Sequence, residues 1–206
     1  MQTLSWYDII ISVMKMLLMK DIMQEWEPVL HKRATEVKLP LSKEDLETIR
    51  SMMDYVHNSQ NDALVQEYGL RPAVGLAAPQ INVPKRMFVM SAYDEAGVNL
   101  SEYAVVNPKI LSSSEELTYL PGGEGCLSVD EAKNGLVPRA KRIKVRFEKV
   151  NLETGETSET LVKLTGFVSI VFQHEFDHLN GILFVSKVKE SLPNINPIEF
   201  PEPDAE

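Results

Sequence analysis

The string HEFDHLNG at residues 174–181 sets a glutamate directly after one histidine and ahead of a second. On a helix, His174 and His178 lie one turn apart and face the same way. Two imidazoles at this spacing can hold one divalent ion, and Glu175, beside the first, can act as a general base toward a water molecule there. The competing account is a helix that carries two surface histidines. The preceding run GFVSIVFQ is apolar nearly all round, so this helix is expected to be buried. Burying two unpaired imidazoles costs free energy that a metal ion removes. His31 and His57 have no motif around them and read as surface residues.

The third ligand should be a soft or borderline donor. Cys126, the only cysteine, sits in the glycine-rich stretch LPGGEGCLS at 120–128. Taken alone, a single cysteine is usually a small buried hydrophobe. Here the glycines can bring the backbone close to a metal or a substrate, and a coordinated cysteine is a thiolate. Two histidines and one cysteine leave a coordination position open, which marks a catalytic rather than a closed structural site. AVGLAAPQ at 73–80 is the third unusual stretch. Its small residues fit either a packing seam or a substrate-facing wall, and Gln80 ends it with a neutral hydrogen-bond donor.

Elements must position these groups. The 206 residues suffice for one good core, and 44% apolar with 25% charged residues is an ordinary globular composition. A net charge of −9 argues against bulk nucleic-acid binding, with RAKRIKVR at 139–146 as the one local basic stretch. A single cysteine excludes an intramolecular disulfide and favours a reducing compartment. The apolar start MQTLSWYDIIISVMKMLLMKDI is interrupted by Asp8 and Lys15, too early for a membrane span, and reads as an amphipathic helix.

LPLSKEDLETIRSMMDYVH predicts a helix capped by Ser42 with Asp45 at N3, and Leu46, Ile49, Met53 and Val56 make its apolar stripe. NSQNDALVQEYGLRP reads as loop with some helical turn. RMFVMSAY, YAVVNPKIL, KRIKVRFEKV and ETLVKL read as strands, with NLETGET as a hairpin connection that favours antiparallel pairing. Asn180-Gly181 stops the histidine helix. The acidic tail SLPNINPIEFPEPDAE, with four prolines, reads as extended or mobile. Glu124 and Arg139 flank the cysteine loop, and a guanidinium–carboxylate pair between them would tie that loop to a strand. The alternative is two solvated charges.

AVGLAAPQ, EGCLS and HEFDH, in this order, resemble the three motifs of the peptide deformylase family, from about Met16 to Val188. The long connections look like the larger, type 2 form common in Gram-positive bacteria. The resemblance implies an α+β fold, with antiparallel β-sheets packed around a buried central helix carrying the HExxH metal motif. It implies a metal-dependent hydrolase that removes the formyl group from the N-terminal formyl-methionine of nascent bacterial polypeptides and releases formate. Cys126, His174 and His178 would hold one divalent ion: iron(II) in the cell, or zinc, nickel or cobalt in purified protein. Glu175 would move the proton. The Gln80 amide and the Leu127 N–H would stabilise the oxyanion. The substrate backbone would lie as an added strand along Val74, Gly75 and Gly125. The methionine side chain would enter an apolar pocket lined in part by Phe167, Ile170, Val171 and His174, although ordinary core packing also accounts for the first three.

The implied organisation is an N-terminal extension (1–15), a single catalytic domain (16–190) and a Pro-rich acidic tail (191–206). The implied setting is a cytoplasmic monomer acting on N-formylmethionyl peptides at the ribosome exit, with no membrane partner. One departure is Ala73, where the family has glycine. A positive φ there would strain a methyl-bearing residue and shift Val74 and Gly75. Three readings compete with this one: a metallopeptidase using HExxH, a non-catalytic metal binder, and a thiol enzyme centred on Cys126.

Overall fold

The computed structural model describes residues 16–131 and 133–201, so the expected extension at 1–15 lies outside the described residues. Among them are three α-helices, α1 (Lys43–Asn58), α2 (Asp62–Tyr68) and α3 (Gly166–His178). Seven strands accompany them: β1 (Gly75–Ala77), β2 (Met87–Tyr93), β3 (Leu100–Ser113), β4 (Leu117–Thr118), β5 (Arg139–Ala140), β6 (Arg142–Val150) and β7 (Thr157–Thr165). All pairings between them are antiparallel, in a five-stranded sheet of order β1-β2-β3-β6-β7 and a separate β4-β5 pair.

The sheet is covered on both faces. Successive strand residues point to opposite sides. Met87, Val89, Ala104 and Val106 pack with Ile49, Met52, Met53 and Val56 of α1. Phe88, Met90, Val105, Val145 and Phe147 pack instead with Val168, Val171 and Phe172 of α3. This explains the apolar run Met87–Met90 in β2, a strand buried from Met87 to Ala92. β6 keeps its alternation, with Ile143, Val145 and Phe147 buried.

Local signals place the helices. The Ser42 Oγ accepts the Asp45 N–H at 3.1 Å and starts α1. The segment expected as loop with some helical turn contains α2, a full helix of 7 residues. Asn61 Oδ1 accepts from the Ala63 and Leu64 N–H groups, and Gly69, at φ 63°, ends the helix. Its polar composition conceals it, because no residue of α2 is fully buried and no apolar stripe is needed. At the start of α3, the Phe167 N–H donates to Glu95 Oε1 at 2.9 Å. Glu95, in the turn between β2 and β3, thus satisfies one of the donors that a helix N-terminus leaves unpaired.

The described part of the tail, residues 191–201, has neither helix nor strand, but it is anchored. Ile198 is buried, its N–H donates to the Tyr119 carbonyl at 2.9 Å, and the Phe200 ring meets Phe167 at 5.7 Å. The basic stretch is largely neutralised. Lys141 and Arg142 both pair with Glu116, and Arg139 is buried among carboxylates. No described helix is long and apolar enough to cross a membrane.

Candidate metal centre and cleft

The last turns of α3 present His174 and His178 with ring centroids 5.0 Å apart. The loop after β4 brings Cys126 to them, with its Sγ 3.4 Å from His178 Nε2. The ligand atoms of Cys126, His174 and His178 lie within 4.8 Å of one another. Bonds of ~2.1 Å to nitrogen and ~2.3 Å to sulfur at a tetrahedral angle span ~3.6 Å between ligand atoms, so the donor set suits one divalent ion. His31 and His57 are exposed and stand outside this cluster.

The tautomer of His174 is set from behind. Its Nδ1 lies 2.8 Å from Glu124 Oε2, which leaves Nε2 for the site. Glu124 is itself held by Arg139, whose Nε and second amino nitrogen reach the two carboxylate oxygens at 2.7 and 2.8 Å. Both side chains are buried. Burial opposes ionisation of Glu124, but hydrogen bonds from Arg139 and His174 outweigh it and hold the carboxyl at about 2. Arg139 also pairs with Asp177 of the HEFDH string, and Asp177 receives Lys187 as well. The expected Glu124–Arg139 tie is therefore present, and it reaches the histidine helix as well as the loop. Burial likewise resists the Cys126 thiolate, and the two neighbouring imidazoles overcome it and lower the thiol well below its ordinary value.

Glu175 is buried, and its Oε2 has no hydrogen-bond partner. An orphan carboxylate oxygen beside the three converging ligand atoms suits a group that exchanges a proton with water. Burial pushes its pKa up to about 7, against the opposing pull of His174 and His178. Gln80 is oriented by the backbone. Its Oε1 accepts the Ala77 N–H at 2.9 Å, so its Nε2 must face Cys126 Sγ (3.4 Å) and Ser128 Oγ (3.2 Å). Among the described residues the Leu127 N–H has no acceptor.

A cavity of ≈ 330 Å³ opens onto these groups, lined by Val74, Gly75, Gln80, Gly125, Cys126, Leu127, Phe167, Ile170, Val171, His174 and Glu175 among others. The structure thus brings every sequence-predicted site residue to one cleft, with His178 just behind the wall. Ala73 does not distort it, because Asn82 and Asn107 are the non-glycine residues with positive φ among those described. Gly75 is the constrained position. A Cβ there would fall 2.5 Å from Glu175 Oε1. Gly75→Ala should therefore fold, displace the carboxylate and lower kcat by ~10²-fold, the usual cost of misplacing a reacting group by about 1 Å. Unchanged turnover, measured beside an unchanged melting temperature, would remove the close approach of β1 and α3 from the argument.

Sequence reasoning missed Arg71. Its guanidinium donates to the Cys126, Leu127 and Val129 carbonyls and to Asp130, at 3.0–3.3 Å, and so clamps the cysteine loop to the segment entering β1. A cation two residues before AVGLAAPQ was the only visible signal.

The family model described as polypeptide deformylase matches residues 19–194. Peptide deformylase of Halalkalibacterium halodurans is 50% identical over 176 residues, covering 84% of this chain and 92% of that one. Peptide deformylase 2 of Bacillus subtilis is 46% identical over 187 residues, covering 91% and 96%. Among solved structures, a probable peptide deformylase from Synechococcus phage S-SSM7 superposes with TM-score 0.63 at 34% identity, covering 81% of this chain and 97% of that one. The Met-Ala-Ser-bound class I type b enzyme of Acinetobacter baumannii gives TM-score 0.61 at 31% identity, covering 81% and 96%.

Proposed function

The chain belongs to the polypeptide deformylase family, and from that premise we propose that the cleft between β1, the cysteine loop and α3 is its catalytic site. The protein is a hydrolase that removes the formyl group from the N-terminal formyl-methionine of nascent polypeptides. The observation that carries the site assignment is the convergence of the Cys126, His174 and His178 ligand atoms beside the unpartnered Glu175 oxygen. In this reading α3 is the buried central helix on which the site is built, within a single catalytic domain at 16–190. Its packing against β1, β2, β6 and β7 as well as β5 supports this.

Cys126, His174 and His178 would hold the ion. When bound, it lowers the pKa of a water molecule and polarises the formyl carbonyl. Glu175 takes the proton from the attacking water at its free Oε2 and passes it to the leaving amine. The Gln80 Nε2 and the Leu127 N–H receive the charge that grows on the formyl oxygen. Val74, Gly75 and Gly125 flank the substrate backbone, and Phe167, Ile170 and Val171 enclose the methionine side chain. The products are formate and a peptide with a free amine. Iron(II) is the proposed ion in the cell, with zinc, nickel or cobalt able to take the same donor set. The proposed setting is a cytoplasmic monomer meeting nascent chains at the ribosome exit.

The test is turnover of a formyl-Met-Ala peptide under anaerobic conditions with iron(II) or nickel, beside the unformylated peptide. Formate release from the first alone supports the reading. Release of amino acids from the second would indicate a peptidase. Gln80→Leu should lower kcat ~10²–10³-fold with little change in KM, as loss of one oxyanion donor does. An unchanged kcat removes Gln80 from the reaction.

A further inference from the structure

We propose that Phe200, in the C-terminal tail, is a positioning residue for the apolar pocket and sets its selectivity for the first side chain of the substrate. The inference rests on the assignment of Phe167, Ile170 and Val171 to that pocket. Phe167 stands at the start of α3 and lines the cavity. Its backbone is fixed from one side by Glu95, through the 2.9 Å hydrogen bond to its N–H. Its ring is met by Phe200, edge to face, with centroids 5.7 Å apart and planes at 71°. Phe200 does not line the cavity, so it acts on a bound side chain only through Phe167.

The tail is held for this task. The Ile198 N–H donates to the Tyr119 carbonyl at 2.9 Å, and Thr118 Oγ1 donates to the Asn196 carbonyl at 3.0 Å. Leu120, the residue after Tyr119, lines the same cavity. The segment that anchors the tail is therefore also a wall of the pocket. Phe200 is 46% exposed, which is more than burial for its own sake would give. An exposed aromatic on an otherwise acidic, proline-rich tail has this one ring partner among the described residues. Such a contact fixes the tilt of Phe167, and with it the depth open to an unbranched apolar side chain. A short side chain that does not reach Phe167 is indifferent to it.

The experiment compares Phe200→Ala, Phe200→Leu and Phe167→Ala on a formyl-Met and a formyl-Ala peptide, with melting temperatures recorded. Phe200→Ala should raise KM for the formyl-Met peptide about 2- to 10-fold, the range of one aromatic pair contact, and leave kcat within about twofold. KM for the formyl-Ala peptide should not move, and Phe200→Leu should restore part of the loss. Equal changes on both peptides, or no change on either, overturn the proposal. If Phe167→Ala alters the formyl-Met preference and Phe200→Ala does not, this inference fails and the pocket assignment stands. If Phe167→Ala leaves the preference intact, the pocket assignment itself fails.

Discussion

Glu175→Gln should retain close to one metal ion per chain and lose turnover ~10²–10⁴-fold, the range that general acid–base catalysis contributes. Metal content and kcat on a formyl-Met peptide, measured on one preparation, give the result. The expected split follows from position. Glu175 is next to His174 in sequence but is not one of the three converging ligands. Its Oε1 lies against β1 at Gly75, and its Oε2 has no partner. Glutamine keeps the shape that fits this slot, so packing against Gly75 survives. It cannot take a proton from water at a useful pKa. The buried carboxyl has a raised pKa of about 7, and the positive charge of a bound ion would favour the ionised base. Loss of metal along with activity would show that Glu175 holds the site together rather than moving a proton.

The residues that converge in this candidate site were largely legible in the sequence because they stand in short strings. HEFDH fixes two imidazoles and a carboxylate through helix geometry alone. EGCLS and AVGLAAPQ add a thiol and an amide whose residue types have few other uses together. The main strands and two of the helices were legible for a related reason: β6 alternates and α1 carries both its stripe and its cap. What escaped is what tertiary contact alone decides. α2 buries no residue fully and left no stripe to read. β1 has only three residues, and its pairing with β2 is invisible locally. Arg71 acts on carbonyls 55 to 58 residues away. Ile198 is buried and bonded to the Tyr119 carbonyl, a partner that the tail's composition does not encode. Long-range hydrogen bonds of this kind have no period and no motif.

Arg139→Ala should lower stability by ~3–5 kcal/mol, because it leaves Glu124 buried without its partner. The same change should weaken metal retention. The two effects share one cause. Glu124 accepts two hydrogen bonds from Arg139, and one of its oxygens also orients His174. Arg139 reaches Asp177 too, one residue before His178. Without the guanidinium, Asp177 keeps only its pairing with Lys187, and Glu124 keeps only its contact with His174. Glu124 then favours protonation, and a neutral carboxyl is a weaker acceptor for His174 Nδ1.

The pH dependence has a definite sign. The folded value of about 2 is depressed from the ordinary 4.5, so Glu124 contributes its stability in full above 4.5 and loses it as pH falls toward 2. Arg139→Ala should erase that contribution and move acid unfolding to higher pH. An exposed pair would be worth only ~0–1 kcal/mol, so the size of the loss separates a buried network from two solvated charges. The check is a double-mutant cycle with Glu124→Ala, read by denaturant midpoint and by metal content after dialysis against a weak chelator. A coupling of ~1 kcal/mol or more, with metal loss in both single variants, is the expected result. Strictly additive stabilities, or Arg139→Ala protein that keeps its metal as wild type does, would mean that the network packs the loop without tuning the ligands.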